Sequence, residues 1–157
     1  MVSHTYFSSP FGLLTIGWED GSILFIGPHR EGVPCVPPAG PAIVAITQLN
    51  EYFRGQRTCF DLPFLLIGTE FQKSVWNYLI QIPYGQVRSY GQIAAAIGNP
   101  KAARAVGSAC NRNSLWILIP CHRVVGKNGN LTGYAGGLTM KQALLELEQS
   151  YKNTPEA

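Results

Sequence analysis

Residues 89–110 read SYGQIAAAIGNPKAARAVGSAC, a stretch that carries the signals for two short helices separated by a tight turn. Ser89 followed three residues later by Gln92 is a capping box, which predicts the start of a first helix, and Gly98 is typical of its end. The Asn-Pro pair at 99–100 is typical of a helix start and predicts a second helix up to residue 110. Two short helices joined in this way predict a helix-turn-helix, whose second helix lies in a groove of DNA.

The predicted second helix is thin, because most of its side chains are small. Arg104 is its one long side chain in mid-helix. A thin helix can lie deep in a groove, and small residues also permit tight packing on a neighbouring helix, so the two interpretations are compatible. The small residues are Ala102, Ala103, Ala105, Gly107, Ser108 and Ala109.

Further helix signals flank this stretch on both sides. Thr69 followed by Gln72 is a second capping box and predicts a helix. Downstream, SLWILIP at 114–120 predicts a short apolar strand, and 139–151 predict a final amphipathic helix. The apolar face of the first of these helices is predicted to consist of Val75, Trp76, Leu79 and Ile80.

The first sixty residues are predicted to be rich in β-strand. Residues 5–27, TYFSSPFGLLTIGWEDGSILFIG, contain short aromatic and branched runs separated by turn residues, which predicts a hairpin or meander. Residues 42–55 then predict a helix whose apolar face consists of Ile43, Ile46, Leu49 and Phe53. We therefore predict the α+β class, with a small β/α structural domain over 1–67 and a mainly helical domain over 68–157.

Composition excludes several classes of protein. With 157 residues, of which 46% are apolar and 13% charged, the chain has the size of one ordinary domain or two small ones and is too apolar for intrinsic disorder. No apolar run approaches the roughly 18 residues of a membrane helix, and the opening MVSHTYFSSPFG lacks the basic and apolar regions of a signal peptide. We expect a cytoplasmic protein that makes no membrane contact.

Charge is distributed unevenly along the chain. Residues 71–145 contain eight Lys or Arg side chains and no Asp or Glu, whereas residues 1–70 contain three basic and six acidic side chains. Such segregation indicates a polyanionic partner. The alternative is that the charge serves only solubility, because a basic half need not contact nucleic acid.

The four cysteines are Cys35, Cys59, Cys110 and Cys121, and no C-x-x-C pair occurs among them. A disulfide framework is therefore not expected, and a zinc site from His4, His29, Cys35 and Cys59 lacks the usual short spacing. Cys121 differs from the others, because it follows a proline, precedes an imidazole and a guanidinium, and lies in the acid-free half. These neighbours predict a lowered thiol pKa and a nucleophilic thiolate.

Motifs over about eighty residues resemble those of the 6-O-alkylguanine-DNA alkyltransferases, also called methylated-DNA–protein-cysteine methyltransferases. The central one is IPCHRVV at 119–125. The others are GTEFQ at 68–72, SY at 89–90, NPKAARAVG at 99–107, Asn113, GYAGG at 133–137 and LLELE at 144–148. The resemblance implies a ribonuclease H-like first domain and a second domain that binds DNA and transfers the alkyl group.

The resemblance implies a role for each residue around the cysteine. Cys121 would accept the alkyl group from 6-O-alkylguanine, and from 4-O-alkylthymine, as a permanent thioether in a single turnover. His122 would take the thiol proton through a water molecule, with Glu148 orienting the imidazole and Asn113 steadying the turn. Tyr90 would rotate the 3′ phosphate and help to protonate the leaving guanine.

The resemblance also implies a duplex DNA partner, bound through the minor groove with the damaged base flipped out. Arg104 would replace that base in the stack. The remaining DNA contacts would be Ser89, Lys101, Ala103 and Gly107. The guanine pocket would be lined by Tyr134, the backbone N–H of Ala135 and the carbonyls of Cys121 and Val124, with Cys110 and Trp116 beside it.

Two positions depart from the family pattern. Ser114 and Trp116 stand where many members have proline, and we expect the indole to change the range of alkyl groups accepted. No cofactor and no metal are expected, although some relatives bind structural zinc. We expect a monomer located with the DNA, in the nucleoid of a bacterium or the nucleus of a eukaryote.

Two other functions stay open at this point. One is a non-catalytic helix-turn-helix module that binds DNA or senses damage. The other, a cysteine hydrolase, is less favoured because such enzymes usually draw their cysteine and histidine from distant positions.

Overall fold

A computed structural model of the chain describes residues 1–152. The fold is α+β and divides into two compact units, one over Met1–Leu66 and one that begins at Ile67. An antiparallel sheet characterises the first unit and helices characterise the second. No helix in the described part of the chain is long and apolar enough to span a membrane.

The first unit is the predicted meander followed by a helix. Strands β1 (Ser3–Ser9), β2 (Gly12–Glu19) and β3 (Ser22–Pro28) pair antiparallel in that order. Buried and exposed side chains alternate along the outer strand β1, whereas the central strand β2 is buried continuously over residues 14–18. Helix α1 (Pro41–Phe53) packs against this sheet.

The buried face of α1 differs from the predicted one. Ile43 is 52% exposed, and the face that packs inward consists of Ala42, Ala45, Gln48, Leu49 and Tyr52. The reason is a pair of long-range hydrogen bonds: Gln48 Nε2 donates to the carbonyl of Asp61 at 2.8 Å and Gln48 Oε1 accepts from its N–H at 2.9 Å. These bonds hold Gln48 inside and rotate Ile43 outward.

The second unit begins with the two helices whose capping boxes the sequence shows. Helix α2 (Glu70–Ile80) starts after Thr69 and helix α3 (Tyr90–Ala96) starts after Ser89, each with both capping-box hydrogen bonds formed. Residues Val75, Trp76 and Leu79 of α2 are buried as predicted, whereas Ile80 is 38% exposed. A two-residue strand β4 (Arg88–Ser89) leads directly into α3.

Helix α4 (Ala103–Asn111) starts later than predicted. The N–H of Asn99 donates to Ala94 O at 2.9 Å and the N–H of Gly98 to Ala95 O at 3.1 Å, with Gly98 at φ 84°. This is the glycine-terminated C-cap of α3. Asn99 therefore closes α3 and is not the N-cap of the next helix.

The segment over 114–120 is not a strand, contrary to prediction. The N–H of Leu118 donates to Trp116 O at 2.8 Å, a tight turn that places Ile117 at φ 73°. A positive φ is strained for a β-branched residue and incompatible with an extended strand. After this turn come a single 3₁₀ turn (Cys121–Arg123), strand β5 (Val124–Val125), a second short 3₁₀ turn (Lys127–Gly129) and helix α5 (Leu138–Tyr151).

Candidate active site

Asn113 organises the backbone that leads to the cysteine. Its side chain accepts a hydrogen bond from the N–H of Leu115 at 2.8 Å and donates one to the carbonyl of Ile119 at 3.0 Å. The amide thereby reinforces a turn whose two ends are also joined by a backbone hydrogen bond from the N–H of Ile119 to Leu115 O at 3.0 Å. Asn113 is itself buried, and its side chain also forms a hydrogen bond with Cys121.

Cys121 and His122 lie on one 3₁₀ turn. The N–H of Arg123 donates to the carbonyl of Pro120 at 2.9 Å, which closes the turn. The following strand β5 pairs in parallel with β4, matching Arg88 with Val124 and Ser89 with Val125. This pairing fixes the start of α3 beside the cysteine turn.

The environment of Cys121 raises its thiol pKa, so the prediction of a lowered pKa was wrong. Cys121 is only 4% exposed. Burial and a hydrogen bond with Cys110 raise the pKa well above its ordinary value, although a hydrogen bond from Asn113 and the charge of Lys141 act in the other direction. The resting state at neutral pH is a thiol, and a base must remove its proton when it reacts.

His122 has the protonation state that such a base requires. Burial lowers the pKa of His122, although Glu148 opposes this effect, so the imidazole is neutral at neutral pH. Its Nε2 lies 2.6 Å from Glu148 Oε2. Because an ionised carboxylate only accepts hydrogen bonds, Nε2 carries the proton and Nδ1 is the basic nitrogen.

Glu148 stays ionised despite being buried. Burial alone raises the pKa of this carboxyl, but the hydrogen bonds and charges of His122 and Arg123 outweigh it and hold the pKa well below its ordinary value. Arg123 binds both carboxylate oxygens, with Nε 2.8 Å from Oε1 and Nη2 3.0 Å from Oε2. The N–H of Gly85 donates to Oε1 at 3.0 Å.

The residues predicted to line a guanine pocket differ in how deeply they are buried. The rings of Trp116 and Tyr134 are 6.2 Å apart and tilted by 40°. The Tyr134 hydroxyl is buried and has no hydrogen-bond partner among the described residues, and burial raises its pKa. Val124 and Cys110 are buried, whereas Ala135 is exposed.

A separate apolar groove of about 660 Å³ runs along α3 and α4. Five of the six residues predicted to contact DNA line this groove. The sixth, Lys101, is exposed and does not line the groove. Burial raises the pKa of Tyr90, so its hydroxyl, which accepts a hydrogen bond from Thr132 Oγ1 at 3.3 Å, is protonated at neutral pH. The lining residues are Ser89, Tyr90, Gly91, Gln92, Ala103, Arg104, Gly107 and Lys127.

Two charged residues of this centre have contacts that the sequence did not predict. Arg123 is 7% exposed and donates from Nη1 to the carbonyl of Ile82 at 2.7 Å, in addition to its pair with Glu148. Lys141 is fully buried. The sequence does contain a signal that Lys141 is buried. Residues 141, 144 and 148 lie on one face of the final helix, and the other two residues of that face are an apolar side chain and a carboxylate with charged partners.

A metal centre is not formed by the described chain. Within residues 1–152, no group of three or more His, Cys, Asp or Glu side chains is placed to hold a metal ion. In that same range the four cysteines are free thiols.

Comparison with known proteins gives consistent matches over both units. The model of the 6-O-methylguanine DNA methyltransferase ribonuclease-like domain matches residues 2–66, and that of its DNA binding domain matches residues 70–150. The chain is 60% identical to the methylated-DNA–protein-cysteine methyltransferase of Methanosarcina acetivorans, over 94% of this chain and 98% of that protein. It is 47% identical to the Mycobacterium bovis protein of the same name, over 96% and 94%.

A solved structure is similar over the same extent. The crystal structure of Mycobacterium tuberculosis OGT in complex with DNA matches with a TM-score of 0.88 at 45% identity, covering 96% of this chain and 94% of that chain.

Proposed function

The chain belongs to the 6-O-methylguanine DNA methyltransferase family, and from this premise we propose that Cys121 is the residue that accepts the alkyl group. The function of the protein is DNA repair by alkyl transfer. The observation that supports Cys121 as the acceptor is its position beside a neutral imidazole, which a buried carboxylate holds at 2.6 Å. The substrate is 6-O-alkylguanine in duplex DNA.

The proposed reaction is a displacement at the alkyl carbon. His122 takes the proton of the Cys121 thiol through a water molecule, and the resulting thiolate attacks the carbon bonded to the guanine oxygen. The carbon–oxygen bond breaks, its electron pair goes to guanine, and the Tyr90 hydroxyl supplies a proton to the leaving base. Because the thioether formed on Cys121 is not cleaved again, each protein molecule reacts once. The buried Tyr134 hydroxyl, which lacks a protein partner in the described chain, is suited to bind the guanine.

The minor groove of duplex DNA is proposed to face the protein groove along α3 and α4. The protein is proposed to act as a monomer. Small residues of α4 would allow close approach of the DNA, and Arg104 is exposed and lines this groove, which supports its proposed entry into the base stack. Because the substrate is DNA, the protein is proposed to reside with it.

Intact-protein mass spectrometry tests the assignment. After incubation with duplex DNA containing 6-O-methylguanine, the protein should gain the mass of one methyl group, located on the peptide that contains Cys121. A protein that binds the same DNA without gaining mass would instead be the non-catalytic module. Methylation on another cysteine would contradict the choice of Cys121.

Replacing Arg104 with alanine should slow repair of duplex DNA on the order of tenfold or more, measured at saturating DNA. A flipped base leaves a gap whose refilling by the guanidinium offsets part of an unstacking cost of a few kcal/mol, and about 1.4 kcal/mol is tenfold in rate. Free alkylguanine, which needs no extrusion, should react at nearly the parental rate.

The matched control for Arg104 is Arg112→Ala, which removes an exposed cation at the end of α4 that does not line the groove. We expect this variant to repair saturating duplex at the parental rate. An unchanged saturated rate for Arg104→Ala, or an equal loss with free base, would show that Arg104 serves only as a backbone contact.

Replacing Trp116 with proline should increase the rate with free benzylguanine by about tenfold, an effect of about 1.4 kcal/mol. The indole is 8% exposed and its ring centre lies 6.2 Å from that of Tyr134. We expect it to limit the space for a bulky alkyl group beside the proposed guanine site. The rate with free methylguanine should change less, and Trp116→Phe should fall between the two proteins. Equal benzylguanine rates for all three would show that Trp116 does not limit the pocket.

A further inference from the structure

The hydroxyl of Tyr90 is held by Thr132, a residue that does not line the groove of α3 and α4. Thr132 Oγ1 donates a hydrogen bond to this hydroxyl, with the two oxygens 3.3 Å apart. On α4, Gly107 faces the Tyr90 ring, since a methyl group at that position would lie 3.7 Å from Tyr90 Cε1. The half-buried Tyr90 side chain is therefore contacted both along its ring and at its oxygen.

Packing of the Thr132 methyl group sets the direction of its hydroxyl. Gly126, which follows β5, has no side chain, and a methyl group there would lie 3.2 Å from Thr132 Cγ2. The Thr132 carbonyl is fixed as well, because it accepts a hydrogen bond from Lys141 Nζ at 2.7 Å. A β-branched side chain is stiff about its first torsion, so seating the methyl group against Gly126 directs Oγ1 to Tyr90.

The direction of this hydrogen bond suits the proposed chemistry of Tyr90. When the carbon–oxygen bond of the substrate breaks, the Tyr90 O–H proton goes to the leaving guanine and a negative charge stays on the Tyr90 oxygen. A donor at that oxygen leaves the phenolic proton free for the base and stabilises the charge, because hydrogen bonds to ionised acceptors are the stronger ones. Water then returns a proton to Tyr90, and the His122 imidazolium releases the thiol proton, so both side chains end neutral.

The hydrogen bond is exposed to water in the free protein and would be covered by bound substrate. Its oxygen–oxygen distance of 3.3 Å is longer than the usual value of about 2.7–2.8 Å, and catalytic hydrogen bonds of free enzymes often shorten when substrate binds. Burial raises the pKa of Tyr90, and the hydrogen bond from Thr132 acts in the opposite direction. Both observations agree with a donor that supports loss of the phenolic proton.

We propose that Thr132 is a positioning residue for the proton donor of alkyl transfer, whose hydroxyl donates to the Tyr90 oxygen, directs the phenolic proton to the leaving guanine and stabilises the charge that this proton leaves behind. This inference rests on the proposed role of Tyr90. It extends that role to a residue on the segment between the cysteine turn and α5.

Replacing Thr132 with valine should lower the saturated rate of alkyl transfer about tenfold, with methylated duplex and with free benzylguanine alike. Valine keeps the shape of threonine without the hydroxyl, and tenfold corresponds to about 1.4 kcal/mol, near the lower end for a hydrogen bond to a charged group. Thr132→Ser keeps the hydroxyl and should retain a larger share of the rate. DNA affinity, measured by fluorescence anisotropy, should stay parental in both variants.

A double-mutant cycle with Tyr90→Phe separates this role from a merely structural one. Phenylalanine removes the hydroxyl that Thr132 contacts, so adding Thr132→Val to Tyr90→Phe should change the rate by less than about twofold. The matched control is Thr139→Val, which changes an exposed threonine at the start of α5 and should keep the parental rate. Urea unfolding of each variant verifies that the fold is intact.

The proposal is overturned by a parental rate for Thr132→Val, by an equal further loss in the Tyr90→Phe background, or by a loss confined to duplex DNA, which would make Thr132 a DNA contact. If Thr132→Val does not fold, Thr132→Ala, which also lacks the hydroxyl, undergoes the same comparisons. Failure of the proposed function is recognised separately. A parent protein that gains no alkyl mass contradicts that function, and a parental rate for Tyr90→Phe contradicts the role of Tyr90 and this inference with it.

Discussion

Replacing Cys121 with serine should abolish alkyl transfer, with a loss on the order of a thousandfold or more. A serine hydroxyl is a far weaker nucleophile near neutral pH, and the neutral His122 is too weak a base to generate an alkoxide. Intact-protein mass after incubation with methylated duplex measures the effect. Binding of the same DNA, followed by fluorescence anisotropy, should be largely retained because the groove of α3 and α4 is unchanged.

Cys59→Ser is the matched control for this prediction. Cys59 is an exposed thiol in the first unit, so its loss should leave the rate and the DNA affinity at parental values. Continued mass gain by Cys121→Ser would show that another residue accepts the alkyl group and would contradict the proposed function.

Replacing Glu148 with alanine should lower the free energy of unfolding by about 3–5 kcal/mol. The carboxylate holds His122 and Arg123, all three being nearly inaccessible to solvent, and also accepts from the N–H of Gly85. Its removal leaves a buried guanidinium without its counter-ion. Urea denaturation with a two-state fit measures the change.

Glu146→Ala is the control, because Glu146 is exposed on α5 and, among residues 1–152, its carboxylate accepts a hydrogen bond from Gln142 alone. We expect its effect to lie within about 0.5 kcal/mol. Equal stabilities for the two variants would contradict the assigned role of Glu148.

The same network should make stability depend on pH in the acid range. The folded-state pKa of Glu148 lies below its unfolded value, so its contribution is fully present above the unfolded pKa of roughly 4.3. It is lost as the pH falls through the unfolded value toward the folded one. Glu148→Ala should therefore differ most from the parent near neutral pH and approach it on acidification.

Elements specified by neighbouring residues were predicted from the sequence. The capping boxes at Thr69 and Ser89 form as expected, because each involves a side chain and a backbone N–H three residues apart. The meander follows in the same way from short aromatic and branched runs separated by turn residues, and the final helix follows from helical periodicity. The resemblance to the alkyltransferase family then indicated alkyl transfer to a cysteine. It could be found in the sequence because most of the family motifs are contiguous runs of residues.

Features that depend on distant partners were not predictable in this way. The inward face of α1 depends on hydrogen bonds from Gln48 to Asp61, and the late start of α4 depends on Asn99 being used to end α3. Ile117 reads as a strand residue, but the side chain of Asn113 joins the two ends of the turn that contains it.

The pKa of Cys121 shows most clearly how local sequence and tertiary structure differ in what they determine. The sequence by itself determined that a thiol, an imidazole and a guanidinium are adjacent in a basic region, which suggests a thiolate. Only the tertiary structure decided that Glu148, more than twenty residues away, binds the guanidinium and the imidazole while the thiol is buried. Local sequence specifies which charges are near one another, but the energy of a charge depends on its solvation and its partners, which folding alone determines.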